Sequence, residues 1–231
     1  MSTAAPAKPV HLNLEITSDS ICPFCFIGKR RIEEAIRKSA HLPLTFSLKF
    51  APFLLDPTLP ASPGENKRER YIRRFGGAEK VRAMEEAMIA RGEACDPPIH
   101  FSYGGVVSQT TDSHRLIEKA YELKGEKGQL ALVERLFKSY FEEEADPGSH
   151  AILSRDAVTA GIFASESDAS AFLASDELRD VVEAGIKKAQ LRGISGVPFT
   201  IINDKLGISG AQEVETFVEV FQKIAKGEIE A

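Results

Sequence analysis

Two cysteines three positions apart, Cys22 and Cys25, are the residues of this chain best suited to covalent chemistry. Pro23 and Phe24 lie between them and complete the motif Cys-Pro-Phe-Cys. A thiolate is a strong nucleophile, and a second thiol nearby resolves the mixed disulfide that the first one forms. The spacing therefore predicts thiol–disulfide chemistry, with Cys22 as the attacking thiol and Cys25 as the resolving thiol.

A zinc site and a pair of ordinary core cysteines are the alternatives for this motif. A structural zinc site needs two further ligands. The third cysteine, Cys95, stands alone, and the histidines are scattered singly at positions 11, 41, 100, 114 and 150. We therefore predict no metal, and we expect Cys95 to be a free thiol without a catalytic role.

The residues on either side of the motif predict a strand followed by a helix. Residues 12–16 alternate between apolar and polar, as in a strand with one buried face. From Gly28 to Ser39, small and apolar residues recur at helical spacing. Charged residues, Lys29 and Arg30 among them, occupy the other positions of this predicted helix.

The predicted helix begins at or near Cys22. Pro23 suits the first helical position, because its φ is already near the helical value. The N–H that proline lacks would have had no intrahelical partner there in any case. The unpaired N–H groups and the dipole at this end of a helix favour a thiolate. We therefore expect the pKa of Cys22 to lie below the roughly 8.5 of a free cysteine.

The middle of the chain predicts one more strand and then helices. A second alternating stretch covers residues 44–50, a proline-rich run covers 52–63, and helical periodicity dominates from about 65 to 192. The apolar stripes of these helices are interpreted as core, and they include Val81, Met84, Met88 and Ile89; Leu116, Ile117, Ala120 and Leu123; and Val181, Val182 and Ala189.

The last segment returns to strand character. Residues 199–202 and 206–208 read as the two strands of a hairpin around the turn 203–205. Ser209 and Gln212 have the spacing of a capping box, so we expect the final helix to open there.

The resulting order is strand, helix, strand, helical insertion, strand, strand, helix. This is the order of an α/β, thioredoxin-like fold with a large α-helical insertion. The predicted organisation is a disordered lead over residues 1–9, a discontinuous thioredoxin-like domain over 10–60 and 193–231, and a helical insertion domain over 61–192.

Composition excludes several classes of function. The 231 residues carry a net charge of −5, which argues against nucleic acid as a partner, since phosphate binding favours a basic surface. No apolar run approaches the roughly 20 residues of a membrane span. The first nine residues lack the apolar core of a secretory signal. We expect a cytoplasmic protein, monomeric or homodimeric, that does not bind membranes.

The same motifs resemble a known family, the DsbA-like branch of the thioredoxin superfamily and its FrnE-type subgroup of polyketide-biosynthesis dithiol-disulfide isomerases. The resemblance runs nearly end to end. It departs from the family at Phe24, where tryptophan is usual, at Phe26, where tyrosine is usual, and at Gln109-Thr110, where the family has Asn-Thr. The matching segments are residues 18–31, Pro52-Phe53-Leu54-Leu55, Asp112-Ser113-His114-Arg115-Leu116, residues 193–199, and Ser209-Gly210-Ala211-Gln212.

The resemblance implies roles for further residues. It implies that the Val197–Pro198 bond is cis and faces Cys22, with Pro198 keeping a competing N–H away from the sulfur. The backbone of Val197 would pair with an extended substrate, a peptide or glutathione. The other residues expected to contact substrate are Pro23, Phe24, Phe53 and His114.

Two functions remain open from the sequence. The first is a thiol–disulfide oxidoreductase or isomerase that acts on protein or small-molecule disulfides and has no bound cofactor. The second is a glutathione-dependent isomerase or transferase, because the kappa-class transferases and chromene-carboxylate isomerases resemble this architecture. Glutathione would then be a co-substrate, with its γ-glutamyl carboxylate near Ser209 and Gln212. Those relatives have serine at the position of Cys22, so both cysteines favour the first function.

Overall fold

A computed structural model describes residues 9–230 of the chain, so the predicted lead lies outside the described residues except for Pro9. Within this range the elements are, in chain order, β1 (Val10–Ser18), α1 (Pro23–Lys38), β2 (Leu44–Pro52), β3 (Glu65–Asn66), α2 (Lys67–Phe75), α3 (Ala78–Glu93), β4 (Val106–Val107), α4 (Thr111–Phe141), α5 (His150–Thr159), α6 (Glu166–Ala174), α7 (Arg179–Leu191), β5 (Phe199–Ile202), β6 (Leu206–Ser209) and α8 (Val214–Ala225).

The main sheet has four strands in the order β2-β1-β5-β6. Strand β1 pairs in parallel with β2 and antiparallel with β5, and β5 and β6 form the predicted hairpin. The predicted α/β class with a helical segment between its sheet-forming parts is confirmed. The short pair of β3 and β4 was not predicted, because two-residue strands are too short to show a period.

One continuous core joins the sheet to the long helix α4. Phe26 of α1 stacks on Phe137 of α4 with ring centroids 4.9 Å apart, and both side chains are buried. The division of the chain into two domains at residues 61 and 192 stays a prediction.

A buried amide from α4 covers the outer edge of β2. Strand β2 lies at one side of the sheet, so its outward backbone groups have no strand partner. The N–H of Phe50 donates to Gln129 Oε1 at 2.8 Å, and Gln129 Nε2 donates to the Phe50 carbonyl at 3.1 Å. Gln129 is completely buried and takes the place of a neighbouring strand.

Lys29 and Arg30 are buried, contrary to their expected place among the exposed charged positions of the first helix. Both contact Glu134 of α4: Lys29 Nζ and Arg30 Nη1 lie 2.9 and 2.7 Å from its Oε2. Helix α1 is therefore covered on a face that its own periodicity marks as polar. A partner about 100 residues away in sequence accounts for the difference.

Three residues assigned to the core are instead exposed, namely Met84, Leu123 and Val181. Leu123 lies just before Gly125, where the backbone of α4 leaves the helical region with φ 63° and ψ −157°. Leu123 is thus the last member of its stripe and lies at the end of the first half of α4. Met84 borders the cavity described below.

The predicted capping box at Ser209 and Gln212 is wrong. Ser209 is the last residue of β6, and the final helix begins at Val214 with Glu213 as its cap residue. Gln212 Nε2 donates to the Ser209 carbonyl at 2.7 Å and so closes the turn between strand and helix. A capping box and a turn of this kind share the same residue types at the same spacing.

The Gln129 arrangement gives a prediction on stability. Gln129→Leu leaves the N–H and C=O of Phe50 buried without partners, at about 1–3 kcal/mol for each group. We expect the free energy of unfolding, measured by urea denaturation followed by circular dichroism, to fall by about 2–5 kcal/mol. The exposed Lys127→Leu on the same helix should change it by less than about 0.5 kcal/mol. Equal unfolding midpoints for the two variants would contradict this role of Gln129.

Candidate active site

The dithiol lies at the amino end of α1, as predicted. Cys22 is the cap residue, with the extended angles φ −91° and ψ 113°, and Pro23 is the first helical residue. The Cys22 carbonyl accepts the N–H of Cys25 at 3.0 Å and that of Phe26 at 3.4 Å. The first turn of the helix thus places the two free thiols close together.

Both thiols are buried, since Cys22 is 4% exposed and Cys25 is 1% exposed. Their chemistry still differs. Burial raises the pKa of the Cys25 thiol well above its ordinary value, and its hydrogen bond to Cys22 and the charge of that residue raise it further. Cys25 therefore keeps its proton to a higher pH than an ordinary thiol.

The Val197–Pro198 bond is cis, as predicted, and lies beside Cys22. Cys22 Sγ donates a hydrogen bond to the Val197 carbonyl oxygen at 3.5 Å. Gly28 of α1 makes this approach feasible, because a Cβ at that position would lie 3.0 Å from Cγ of Pro198. The absence of a side chain at Gly28 lets the proline pack directly against the helix.

A cavity of about 750 Å³ opens beside Cys22. We call it the dithiol cavity. Three of the residues predicted to contact substrate line it beside Cys22, namely Pro23, Phe24 and Val197. Its opposite wall is formed mainly by apolar residues of α2, α3 and the segment before β4, including Tyr71, Val81, Met84, Met88 and Tyr103.

Two of the four positive side chains that line this cavity are paired, whereas Lys80 and Arg91 have no ion pair among the described residues. Arg70 and Arg74, which also border the dithiol cavity, both bind the carboxylate of Asp56. Thr58 and Arg70 hold the pKa of Asp56 well below its usual range despite partial burial. The cavity therefore presents mostly apolar surface next to the Cys22 sulfur.

The other predicted site residues do not line the dithiol cavity. Phe53 and His114 contact each other, since His114 Nε2 donates to the Phe53 carbonyl at 2.9 Å. Ser209 pairs with Phe199 across the hairpin, and the N–H of Gly210 donates to the Pro198 carbonyl at 2.9 Å. Substrate contacts by Phe53, His114, Ser209 and Gln212 stay predictions.

Asp19 is a site residue for which sequence reasoning gave no role. Its carboxylate is completely buried and accepts the N–H of Leu55 at 2.8 Å and that of Ile21 at 3.4 Å. It thereby ties the residue before Cys22 to the loop after β2. An acidic residue just before a strand-to-helix cysteine motif is the signal that could have indicated this role.

The described residues contain neither a metal-binding cluster nor a membrane-spanning helix. Within residues 9–230, no third histidine, cysteine or carboxylate joins the dithiol in a group that could bind a metal ion. No helix in the same range combines the length and the apolar character that crossing a membrane requires.

Comparison with known families identifies the architecture. The model of the DSBA-like thioredoxin domain matches residues 13–222. The chain belongs to this family. The family resemblance predicted from the motifs around the dithiol is confirmed.

Solved structures of similar proteins include both oxidoreductases and an isomerase. A probable DsbA oxidoreductase, SCO1869 of Streptomyces coelicolor, is 28% identical with a TM-score of 0.83, and the match covers 96% of this chain and 92% of that one. A 2-hydroxychromene-2-carboxylate isomerase (TM-score 0.67, 13% identity, 94% and 97% covered) has the same fold. So does the cytosolic disulfide reductase DsbM of Pseudomonas aeruginosa, solved with glutathione (TM-score 0.57, 12% identity, 94% and 98% covered).

The geometry predicts an order of thiol reactivity. Cys22 borders the dithiol cavity, whereas burial raises the pKa of both Cys25 and Cys95. Iodoacetamide labelling at about pH 7, quantified by peptide mass spectrometry, should modify Cys22 first and Cys25 last, since the thiolate is the species that reacts. Faster labelling of Cys25 or Cys95 would reverse the assignment of the nucleophile.

Proposed function

We propose that this protein is a thiol–disulfide oxidoreductase in which Cys22 attacks a substrate disulfide and Cys25 resolves the mixed disulfide. The observation that carries the proposal is the position of the Cys22 sulfur, 3.5 Å from the Val197 carbonyl oxygen and on the wall of the dithiol cavity. A disulfide held along Val197 would meet the attacking sulfur directly, with the protonated Cys25 one helical turn behind it.

The proposed reaction exchanges two electrons. The Cys22 thiolate forms a bond to one substrate sulfur, and the other substrate sulfur leaves as a thiolate. Cys25 then loses its proton and attacks Cys22, which releases the second substrate thiolate and leaves the Cys22–Cys25 disulfide. A low-molecular-weight thiol such as glutathione would return the dithiol to its reduced form. The fold shared with a cytosolic disulfide reductase solved with glutathione supports this donor and a cytoplasmic location.

The wall of the dithiol cavity supports a preference for apolar disulfides. Its volume lies in the range of about 300–1,000 Å³ that is typical of small-molecule sites. Most of the side chains that line it are apolar, and two of its four cations, Arg70 and Arg74, are paired with Asp56, while Lys80 and Arg91 are exposed. An apolar segment of a protein or a small apolar disulfide would therefore be bound better than a charged one.

The central test of the proposed function is the replacement of the resolving thiol. In Cys25→Ser the mixed disulfide on Cys22 cannot be resolved internally, so a substrate or glutathione adduct should accumulate and insulin reduction with a dithiol donor should nearly stop. Intact-protein mass spectrometry would detect the adduct. Cys22→Ser should be equally inactive but should carry no adduct, and Cys95→Ser should behave as wild type.

The same variants distinguish the glutathione-dependent isomerase. In that reaction glutathione supplies the thiol, so Cys25 would be dispensable. A wild-type protein that reduces no disulfide, together with full glutathione-dependent turnover of an activated small molecule by Cys25→Ser, would replace the oxidoreductase with the isomerase.

The apolar wall gives a second prediction. Met84 is 43% exposed at the edge of the dithiol cavity, so Met84→Lys should place a charge there without disturbing the core. We expect kcat/KM for an aromatic disulfide to fall about tenfold, which corresponds to about 1.4 kcal/mol, and that for a small hydrophilic disulfide to change less than about twofold. Glu86→Gln, an equal charge change away from the cavity on the same helix, is the control. Equal losses for the two substrates would contradict an apolar substrate site.

A further inference from the structure

Helix α3 contributes one row of side chains to the dithiol cavity. The row contains Lys80, Met84, Met88 and Arg91, all of which line the cavity. They recur at every third or fourth position and therefore lie along one face of the helix. At a rise of 1.5 Å per residue, the Cα atoms of Lys80 and Arg91 are about 16 Å apart. This wall thus has two methionines in its middle and a cation at each end.

The two end cations are available to a ligand. Lys80 and Arg91 are both exposed, and neither forms an ion pair among the described residues. The acidic side chains that line the same cavity, Asp56 and Glu85, already have partners. Asp56 binds the two arginines named above, and Glu85 accepts from Arg68 Nη2 at 2.9 Å and from its Nε at 3.1 Å.

Arg91 also borders a second, smaller cavity of about 310 Å³, in which two further carboxylates lie. Both of these carboxylates are paired with other residues. Glu34 lies 3.0 Å from Lys38 Nζ, and Glu213 lies 2.8 Å from Arg31 Nη2. The acidic groups around Arg91 on this side thus have their own cations.

The charge of the dithiol cavity differs in sign from that of the whole chain. Four cationic and two acidic side chains line the cavity, whereas the chain has a net charge of −5. A local positive potential in an acidic protein attracts carboxylates and repels cations. The cavity therefore favours a ligand with negative charge at the positions that Lys80 and Arg91 can reach.

The mouth of the cavity is apolar. Phe24, Leu55 and Met84 line it and are exposed, although they are large apolar side chains. Apolar side chains exposed together mark a surface that binds an apolar partner. Cys22 and Val197 lie on the side opposite α3, so a ligand that covers this mouth also lies beside the attacking sulfur.

We propose that the dithiol cavity binds an extended polypeptide segment with apolar residues around its disulfide and an acidic residue on either side, whose carboxylates pair with Lys80 and Arg91. An extended chain advances about 3.3 Å per residue, so acidic residues about five positions apart match the two cations. The inference rests on the proposed function, because it names the substrate of that reaction. The apolar preference described above applies to the middle of the segment, and the acidic preference to its ends.

Three synthetic peptides test this inference. Each contains one cysteine in a mixed disulfide with the same chromophoric aromatic thiol, apolar neighbours, and glutamate, glutamine or lysine at both of two positions five apart. Attack by the Cys22 thiolate breaks the disulfide, joins Cys22 to the peptide sulfur and releases the chromophore as a thiolate, which stopped-flow absorbance records. We expect the second-order rate constant to be about five- to tenfold higher for the glutamate peptide than for the glutamine peptide at low salt, and lowest for the lysine peptide. About 0.5 M salt should remove most of this difference.

The double variant Lys80→Gln, Arg91→Gln assigns the preference to the two cations. The ratio of the rate constants for the glutamate and glutamine peptides should fall below about twofold in this variant, because neither carboxylate then has a partner. Arg82→Gln is the matched control, since Arg82 is an exposed cation of α3 that does not line the cavity. It should keep the wild-type ratio.

The outcomes separate this inference from the proposed function. Equal rate constants for the three peptides in wild type, or an unchanged ratio in the double variant, would overturn the inference, while release of the chromophore would still support the oxidoreductase. Release from none of the peptides would overturn the oxidoreductase and the inference with it. A small aromatic disulfide with two carboxylates that loses as much rate in the double variant as the glutamate peptide would assign the cations to small anionic substrates and overturn the polypeptide.

Discussion

The site depends on how closely helix α1 approaches the start of β5. The Cys22 sulfur lies 3.5 Å from the Val197 carbonyl oxygen, and the neighbouring Pro198 lies directly against the helix at Gly28, where a Cβ would be 3.0 Å from the proline ring. A side chain at position 28 would require the proline or the helix to shift by a few tenths of an ångström. Gly28 therefore supports the close approach of the attacking sulfur to the backbone proposed to bind substrate.

Opposite this contact, α4 fixes the same helix. Phe26 stacks on Phe137, while Lys29 and Arg30 share the carboxylate of Glu134. Burial acts to raise the pKa of Glu134, but the two cations outweigh it and lower the pKa to about 2. Because this pKa is depressed, the stability that the ion pairs contribute is present above the ordinary value of 4.5 and is lost as pH falls toward about 2. The contact thus persists at any pH where the dithiol could react.

Local patterns allowed much of the fold to be predicted, whereas contacts between distant segments were not predictable. The strand before Cys22, the helix opened by Pro23 and the hairpin 199–209 all follow from a few consecutive residues. The burial of Lys29 and the role of Gln129 depend on partners elsewhere in the chain, and no period in the sequence encodes them. At the site, Cys22 and Cys25 were predictable from spacing and Val197 and Pro198 from resemblance. Asp19 acts through backbone amides that only the folded chain brings to it.

The asymmetry of the two thiols follows from this construction. Cys22, as the cap residue, borders the dithiol cavity, while Cys25, one turn later, points back into the core and has its pKa raised by burial. A buried thiol that stays protonated does not compete with Cys22 for the incoming disulfide, so the order of the two attacks is set by position in the helix. In the proposed reaction the position of each thiol would therefore fix the order of attack, and the apolar cavity beside Cys22 would govern the choice of substrate.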